Sequence, residues 1–274
     1  AAIGELVTNV AVGDRVTMGS SACGTCRACL RGEDKGCAEH FLNFSLKGGI
    51  YGPGGFAEYK VHRSDGVFGV ADAPWDKAAL AEPLSCAIHA ARLLGAKLGD
   101  TAVVFGSGTM GLMNLLVLKK SGLRVAVVDV NEARLEKAKK LGADLVFKSD
   151  EKIRERIKGA FLGGVDYAIT AYGSDEVNQD ALDVLNNRGK ICLFASAHPV
   201  VPFAIDPNVM HNKETSAVGV VSADRCDHAL ATEMIAHNQI DLSELIDATY
   251  SLSQAQEAFH RATSTPSYRV MLNP

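Results

Sequence analysis

Thr101-Ala102-Val103-Val104-Phe105-Gly106-Ser107-Gly108-Thr109-Met110-Gly111 decides the fold. Apart from Ala102, the first five residues are β-branched or aromatic and read as a strand. The last six spell G-x-G-x-x-G across the turn into a helix. Alone the motif is weak; a strand in front and a helix behind are the context it needs, and they argue against a glycine-rich turn without a ligand. Gly106 permits the tight turn, Gly108 lets backbone approach a pyrophosphate, and Gly111 lets the helix pack against the strand. The phosphates then sit at the positive helix N-terminus, with Ser107, Thr109 and Met110 completing the loop that holds them. Asp129 ends the next strand, eighteen residues after Gly111. A carboxylate there can accept hydrogen bonds from the adenosine ribose and repels a 2′-phosphate, which favours NAD over NADP. Arg134 either softens that preference or is a solvated helix-face arginine, the blander and preferred reading.

Outward from this stretch the chain keeps one rhythm. Thr101–Phe105 is followed by a helix over Thr109–Ser121, a strand over Arg124–Asp129, and a helix over Asn131–Leu141 with Asn131 as N-cap and Gly142 as stop. Leu145–Phe147, Val165–Thr170 and Ile191–Ala195 continue the strands, Asp175–Asn187 reads as a helix, and Ser216–Val221 as a last strand. Alternating strands and helices predict an α/β fold, a doubly wound parallel sheet with helices on both faces. Thr170 to Gly173 and Phe194 to Ser196 follow strands, so their loops should line the cofactor crevice. The last fifty or so residues, with a helix near Asp227–His237, are less regular. Residues 1–72 have another texture, rich in glycine, with short strands over Asp14–Met18 and Phe56–Val61.

Cys23, Cys26, Cys29 and Cys37 form a C-x2-C-x2-C-x7-C cluster. The spacing suits one tetrahedral Zn²⁺ held by sulfur alone, a closed structural site; paired disulfides or buried free thiols are the competing readings. The residues between them, Gly24, Thr25, Arg27, Ala28, Arg31, Gly32, Glu33 and Asp34, read as an exposed lobe without a core of its own.

The chain has 274 residues, 47% hydrophobic and 22% charged, enough for two domains with proper cores. A net charge of −4 gives no sign of nucleic-acid or membrane-surface binding, and no apolar run reaches eighteen residues. Seven cysteines, four of them clustered, fit a reducing cytoplasm better than a secreted disulfide framework.

The four-cysteine lobe, then Gly54-Gly55-Phe56-Ala57-Glu58-Tyr59, then Glu82-Pro83-Leu84-Ser85, then the glycine fingerprint follow one another in an order that resembles the zinc-dependent medium-chain dehydrogenases. Ala81–Ala90 looks most like their sorbitol, polyol and threonine dehydrogenase branch. The resemblance covers nearly the whole chain. It implies a β-rich GroES-like catalytic domain with the zinc lobe over 1–82, a Rossmann domain over 83–222, and a segment over 223–274 that returns to the catalytic domain. It also implies oxidation of a secondary alcohol or polyol by NAD through a second, catalytic zinc, and a homo-dimer or homo-tetramer joined through sheet edges such as Ser216–Val221. Glu82 would lie beside the catalytic zinc, as ligand or as partner of one, a buried carboxylate keeping the site near neutral. The competing role is a helix N-terminal glutamate ahead of a first-turn proline. Arg269 matches a basic residue that relatives place on the pyrophosphate, a surface arginine being nearly as good a reading. His62 and His89 read as structural.

One departure stands out. The family carries a Cys and a His-Glu pair upstream of a strand whose continuation Ala1–Val7 resembles, yet no Cys or His precedes Cys23. The expectation is that a part bearing those ligands precedes Ala1. The alternative function is an NAD-binding, zinc-stabilised protein without catalysis. A non-metal reductase of the same superfamily would lack both the cysteine lobe and Glu82.

Overall fold

Three apolar runs, Thr101–Phe105, Arg124–Asp129 and Val165–Thr170, are buried almost throughout at the centre of one parallel sheet, and the turns between strands and helices set where each crossover bends. The computed structural model describes residues 1–39, 45–46, 50–51, 55–197, 199–200, 202–264 and 266–273. The chain divides into two compact units, Ala1–Ser85 with Ala223–Pro274, and Cys86–Ser222.

The first unit begins with β1 (Val16–Met18), α1 (Arg27–Leu30), β2 (Ser45–Leu46), β3 (Ile50–Tyr51), β4 (Val67–Gly69), α2 (Trp75–Ala78) and the start of α3 (Ala81–Leu94). β1 and β4 are antiparallel, with Thr17 opposite Phe68. Asp14 and Arg15 precede the first strand instead of opening it: the Asp14 carboxylate accepts from the Ala11 N–H at 2.8 Å, and Arg15 lies over the Trp75 ring. Phe56–Val61, expected as a strand, is not one. Tyr59 is 84% exposed and Val61 98%, and alternating side chains make a strand only where a ladder partner and a covered face are available. Gly54, the first residue of that motif, lies outside the described residues.

The second unit carries β5 (Thr101–Phe105), α4 (Thr109–Lys120), β6 (Arg124–Asp129), α5 (Glu132–Lys140), β7 (Leu145–Lys148), α6 (Ile153–Ala160), β8 (Val165–Thr170), α7 (Asp175–Asp183), β9 (Leu185–Leu193), α8 (Pro207–Lys213) and β10 (Ser216–Gly219). The strands are parallel in the order β10-β9-β8-β5-β6-β7. Winding reverses between β5 and β8, so the loops leaving their C-terminal ends diverge and open a crevice. One side of the sheet is sealed by Val103, Phe105, Val128 and Ile191 against Ile153, Ile157 and Phe161 of the α6 segment. The ends of α5 are set as the sequence indicates: Asn131 caps its start by accepting from the Arg134 N–H, and Gly142 follows its end at φ +97. Ser174 caps α7, a start the sequence reading did not name.

The boundary after α7 differs from expectation. The helix stops at Asp183 and the strand starts at Leu185, not at Ile191. Val184 and Leu185 are fully buried, and Leu185 is captured by the ladder opposite Val165. The surplus residues form an irregularity between that pair and Tyr167–Lys190, with Arg188 at φ +62.

The chain then completes the first unit with α9 (Arg225–Ala236), β11 (Ile246–Ser251), α10 (Ala255–Ser264) and β12 (Arg269–Asn273), where β11 and β12 pair in parallel. α9 packs on α2 and β4 and presents His228 to β1. The Thr17 hydroxyl lies 3.1 Å from His228 Nε2 and 3.0 Å from the Thr232 hydroxyl, and the imidazole sits 5.1 Å from the Phe68 ring. Burial first, and the neighbouring His62 second, push His228 down to about 4 from its ordinary 6.5. The unfolded chain therefore binds a proton that the native chain refuses. Stability falls as pH drops below 6.5 and levels off below about 4, a loss on the order of 3 kcal/mol. A His228→Gln variant, weaker at neutral pH for lost packing, should close most of its gap to wild type by pH 4 in urea unfolding. A gap that stays constant with pH would refute the assignment.

Candidate functional site

Two constellations emerge, one in each unit. In the second unit, β5 delivers the chain into the turn at Gly106, whose φ of +94 is open to glycine at no steric cost. A Cβ on Gly111 would stand 1.8 Å from the Gly106 carbonyl oxygen, so only glycine lets α4 start this close to the turn. A Cβ on Gly108 would meet nothing within 4 Å. That open space lies in front of the first turn of a twelve-residue helix, whose free N–H groups and dipole favour an anion. Gly106 and Gly108 border a cleft of about 200 Å³ whose other walls include Asp129, Arg134 and Tyr172. Val130 and Tyr172 flank it as strongly exposed side chains, a shape that suits a flat heterocycle.

Asp129 is buried at the end of β6. Its Oδ2 accepts from both the N–H and the hydroxyl of Ser107, at 2.7 and 2.6 Å, and its Oδ1 accepts from the Asn131 N–H at 2.9 Å. Arg134 is half-buried in the first turn of α5 and lines the same cleft. Thr109 and Met110 open α4. Thr170 does not present its hydroxyl to the cleft: the group donates to the Cys192 carbonyl at 3.3 Å, and the Thr170 carbonyl accepts from Ala195. Its neighbours Ala171 and Tyr172 form the wall instead. Phe194 and Ser196 follow β9, and the Ser196 carbonyl crowds Gly173, so the two loops support each other. The sequence pointed to the loop Thr170 to Gly173 but missed Tyr172, although its place directly after β8 at the switch point was a usable signal.

In the first unit the four cysteines converge. Their sulfurs all lie within 4.8 Å of one another, with Cys23 and Cys29 at 3.8 Å and Cys26 and Cys29 at 3.5 Å. Zn–S bonds of about 2.3 Å place tetrahedral sulfurs about 3.8 Å apart, so the donor set fits a zinc ion, and none of the seven cysteines is paired in a disulfide. The N–H groups of Cys26 and Cys23 point at Cys23 Sγ and Cys37 Sγ, as suits thiolates. Asp34, expected on the exposed lobe, is buried. The Arg225 guanidinium grips both of its oxygens at 3.1 Å and reaches Asp65 at 3.2 Å, and the Lys35 N–H donates to Asp224. Asp34 and Asp65 together hold the Arg225 guanidinium above its ordinary pKa. This clamp ties the lobe to the start of α9.

Glu82 lies in the first turn of α3 and is exposed, not buried as expected. Among the described residues no group of three or more metal-binding side chains includes it. Arg269 opens β12, in the other unit from the glycine loop. His89 is buried on α3, and His62 precedes the turn into β4.

Residues 109–237 match the family model described as "Zinc-binding dehydrogenase", and residues 1–72 match "Alcohol dehydrogenase GroES-like domain". An L-threonine 3-dehydrogenase of Coxiella burnetii is 30% identical over 276 residues, covering 99% of this chain and 78% of the relative. The chain belongs to the zinc-binding dehydrogenase family. A sorbitol dehydrogenase of Halalkalibacterium halodurans is likewise 30% identical, over 99% of this chain and 80% of its own length. Among solved structures, benzyl alcohol dehydrogenase from Acinetobacter calcoaceticus superposes with a TM-score of 0.88 at 24% identity, over 99% of this chain and 80% of the other. An oxidoreductase/dehydrogenase of unknown specificity from Escherichia coli gives 0.86 at 26%, over 99% and 79%. The α/β class, with a GroES-like domain and a parallel Rossmann-like sheet, is therefore that of this dehydrogenase family, as the sequence led one to expect. The protein is an oxidoreductase of the alcohol dehydrogenase kind, and the reading without catalysis is not favoured. Among the described residues no helix is long and apolar enough to cross a membrane.

Proposed function

We propose that this zinc-binding dehydrogenase uses NAD to oxidise a secondary alcohol of a polyol, sugar alcohol or similar small molecule. The observation that carries the reading is the open space at Gly108, in front of the α4 N-terminus and beside the buried carboxylate of Asp129. In this assignment Gly106 to Gly111 cradle the pyrophosphate, Asp129 takes an adenosine ribose hydroxyl, and Arg134 and Tyr172 border the adenine side. Phe194 and Ser196 shape the crevice from the next loop, with Thr170 acting through its backbone, and Arg269 serves the cofactor from the C-terminal segment. Cys23, Cys26, Cys29 and Cys37 hold a structural zinc. Glu82 belongs to the catalytic metal site, as ligand or as partner of a ligand.

When bound, NAD supplies the acceptor for the hydride leaving the alcohol carbon. The chain's own part is to fix the cofactor: the glycine turn places the phosphates, and the α4 dipole holds their charge without a lysine. The domains are 1–82, 83–222 and 223–274. The protein works in the cytoplasm as a homo-dimer or homo-tetramer that pairs the β10 edges. The test is calorimetric titration with NAD and NADP, followed by NADH absorbance with sorbitol, L-threonine and simple secondary alcohols. NAD binding with alcohol-dependent NADH formation is expected. NAD binding without turnover of any secondary alcohol would reinstate the non-catalytic reading.

A further inference from the structure

In this cleft the side chain of Ser107 joins the glycine loop to the carboxylate of Asp129. We infer that Ser107 is a positioning residue that sets the choice between NAD and NADP by fixing the Asp129 carboxylate, an inference that rests on the proposed dinucleotide reading of the cleft. Ser107 is fully buried, and its hydroxyl has one hydrogen to give. It gives it to Asp129 Oδ2 at 2.6 Å, beside the Ser107 N–H at 2.7 Å on the same oxygen.

A carboxylate offers about four lone-pair sites. Ser107 fills both sites of Oδ2, and the Asn131 N–H at 2.9 Å fills one of Oδ1. One site remains, on the oxygen turned away from the glycine loop. It can accept one ribose hydroxyl. A 2′-phosphate has no hydrogen to offer there and brings like charge against a carboxylate that cannot swing aside without breaking two short bonds. Arg134 lines the same cleft, so a cation suited to a phosphate is already present. What excludes the phosphate is thus the fixed direction of Asp129, and the hydroxyl of Ser107 is what fixes it. Nothing in the glycine motif itself requires a side chain at this position.

The prediction concerns a ratio of affinities. Wild type should bind NAD well ahead of NADP in calorimetric titration. Ser107→Ala should reduce that ratio about tenfold, the effect of one hydrogen bond to a charged group. Ser107→Cys, which keeps a similar volume with a weaker donor, should move the ratio the same way. In an Asp129→Ala background the ratio is already lost, and adding Ser107→Ala should change nothing further, because the hydroxyl acts only through the carboxylate. If the Ser107 variants weaken NAD and NADP equally, or if the two substitutions prove additive, the inference fails while the dinucleotide reading stands. If wild type binds neither cofactor, both fail.

Discussion

A Gly108→Ala variant is expected to keep its stability and bind its dinucleotide more weakly, whereas Gly111→Ala weakens both. The two glycines are three residues apart in one motif, yet a methyl group meets opposite circumstances at each. At Gly108 the backbone has φ −68, ordinary for any residue, and the added carbon meets nothing within 4 Å. The methyl occupies only the space that a pyrophosphate would take against the helix N-terminus. Its cost appears on binding alone, as a loss of roughly 10–100-fold in NAD affinity. At Gly111 the same carbon would stand 1.8 Å from the Gly106 carbonyl oxygen and 2.9 Å from its carbon, both backbone atoms that no side-chain rotation can move. Either α4 shifts away from β5 or the turn opens, and overpacking of this kind costs about 3 kcal/mol or more. Thermal melting should fall by roughly 5–10 °C. Calorimetric titration and melting curves on the two variants give four numbers. A Gly108→Ala variant that binds NAD as wild type does would remove the pyrophosphate from this turn.

What the sequence disclosed follows from the range over which each feature is determined. β5, β6 and β8 were legible to the residue because apolar runs buried on both faces carry their own signal, and because Gly106 and Asn131 punctuate them locally. The α7–β9 boundary was not. Leu182-Asp183-Val184-Leu185 fits a helix period as well as a strand, and only the ladder to Val165, a tertiary fact, decides for the strand at Leu185. The β11–α10–β12 unit escaped notice although β11 alternates half-buried Ile246, Ala248 and Tyr250 with exposed polar residues, and although the Ser251–Gln254 capping box before α10 was there to be read. At the nucleotide cleft the glycines and Asp129 were legible through spacing. The tie between Ser107 and Asp129 was not, because nothing in a serine's neighbours announces where its hydroxyl points. Asp34 shows the limit most plainly. Among Glu33, Lys35 and Gly36 it reads as one more surface charge, and its partner Arg225 lies 191 residues away.

Stripping the metal from the cysteine lobe is expected to unfold the lobe and leave the parallel sheet intact. Between Cys23 and Cys37 only Asp34 and Cys37 are buried, so no apolar core holds these fifteen residues together. Their order rests on the four sulfurs and on the clamp from Arg225. Zinc sites of this donor type supply about 10–16 kcal/mol to small peptides at neutral pH, which exceeds anything the lobe's one-turn helix α1 can offer. The protein should release one zinc per lobe to a strong chelator, and hydrogen exchange should then accelerate at the Leu30, Gly32, Glu33 and Cys37 amides, which bond back within the lobe. The amides of β5, β6 and β8 should not change. Cys37→Ser should act in the same direction, since it removes the sulfur of the buried cysteine of the four. Arg225→Met separates the two restraints. It leaves Asp34 buried without its cation, a loss of about 3–5 kcal/mol, but touches no sulfur. That variant should keep its zinc while the Lys35 amide, bonded to Asp224, exchanges faster. If chelation leaves the lobe's protection unchanged, the sulfurs are not what orders it. If Arg225→Met expels the zinc as Cys37→Ser does, clamp and metal are one cooperative unit, and the lobe's stability lies as much in α9 as in its own cysteines.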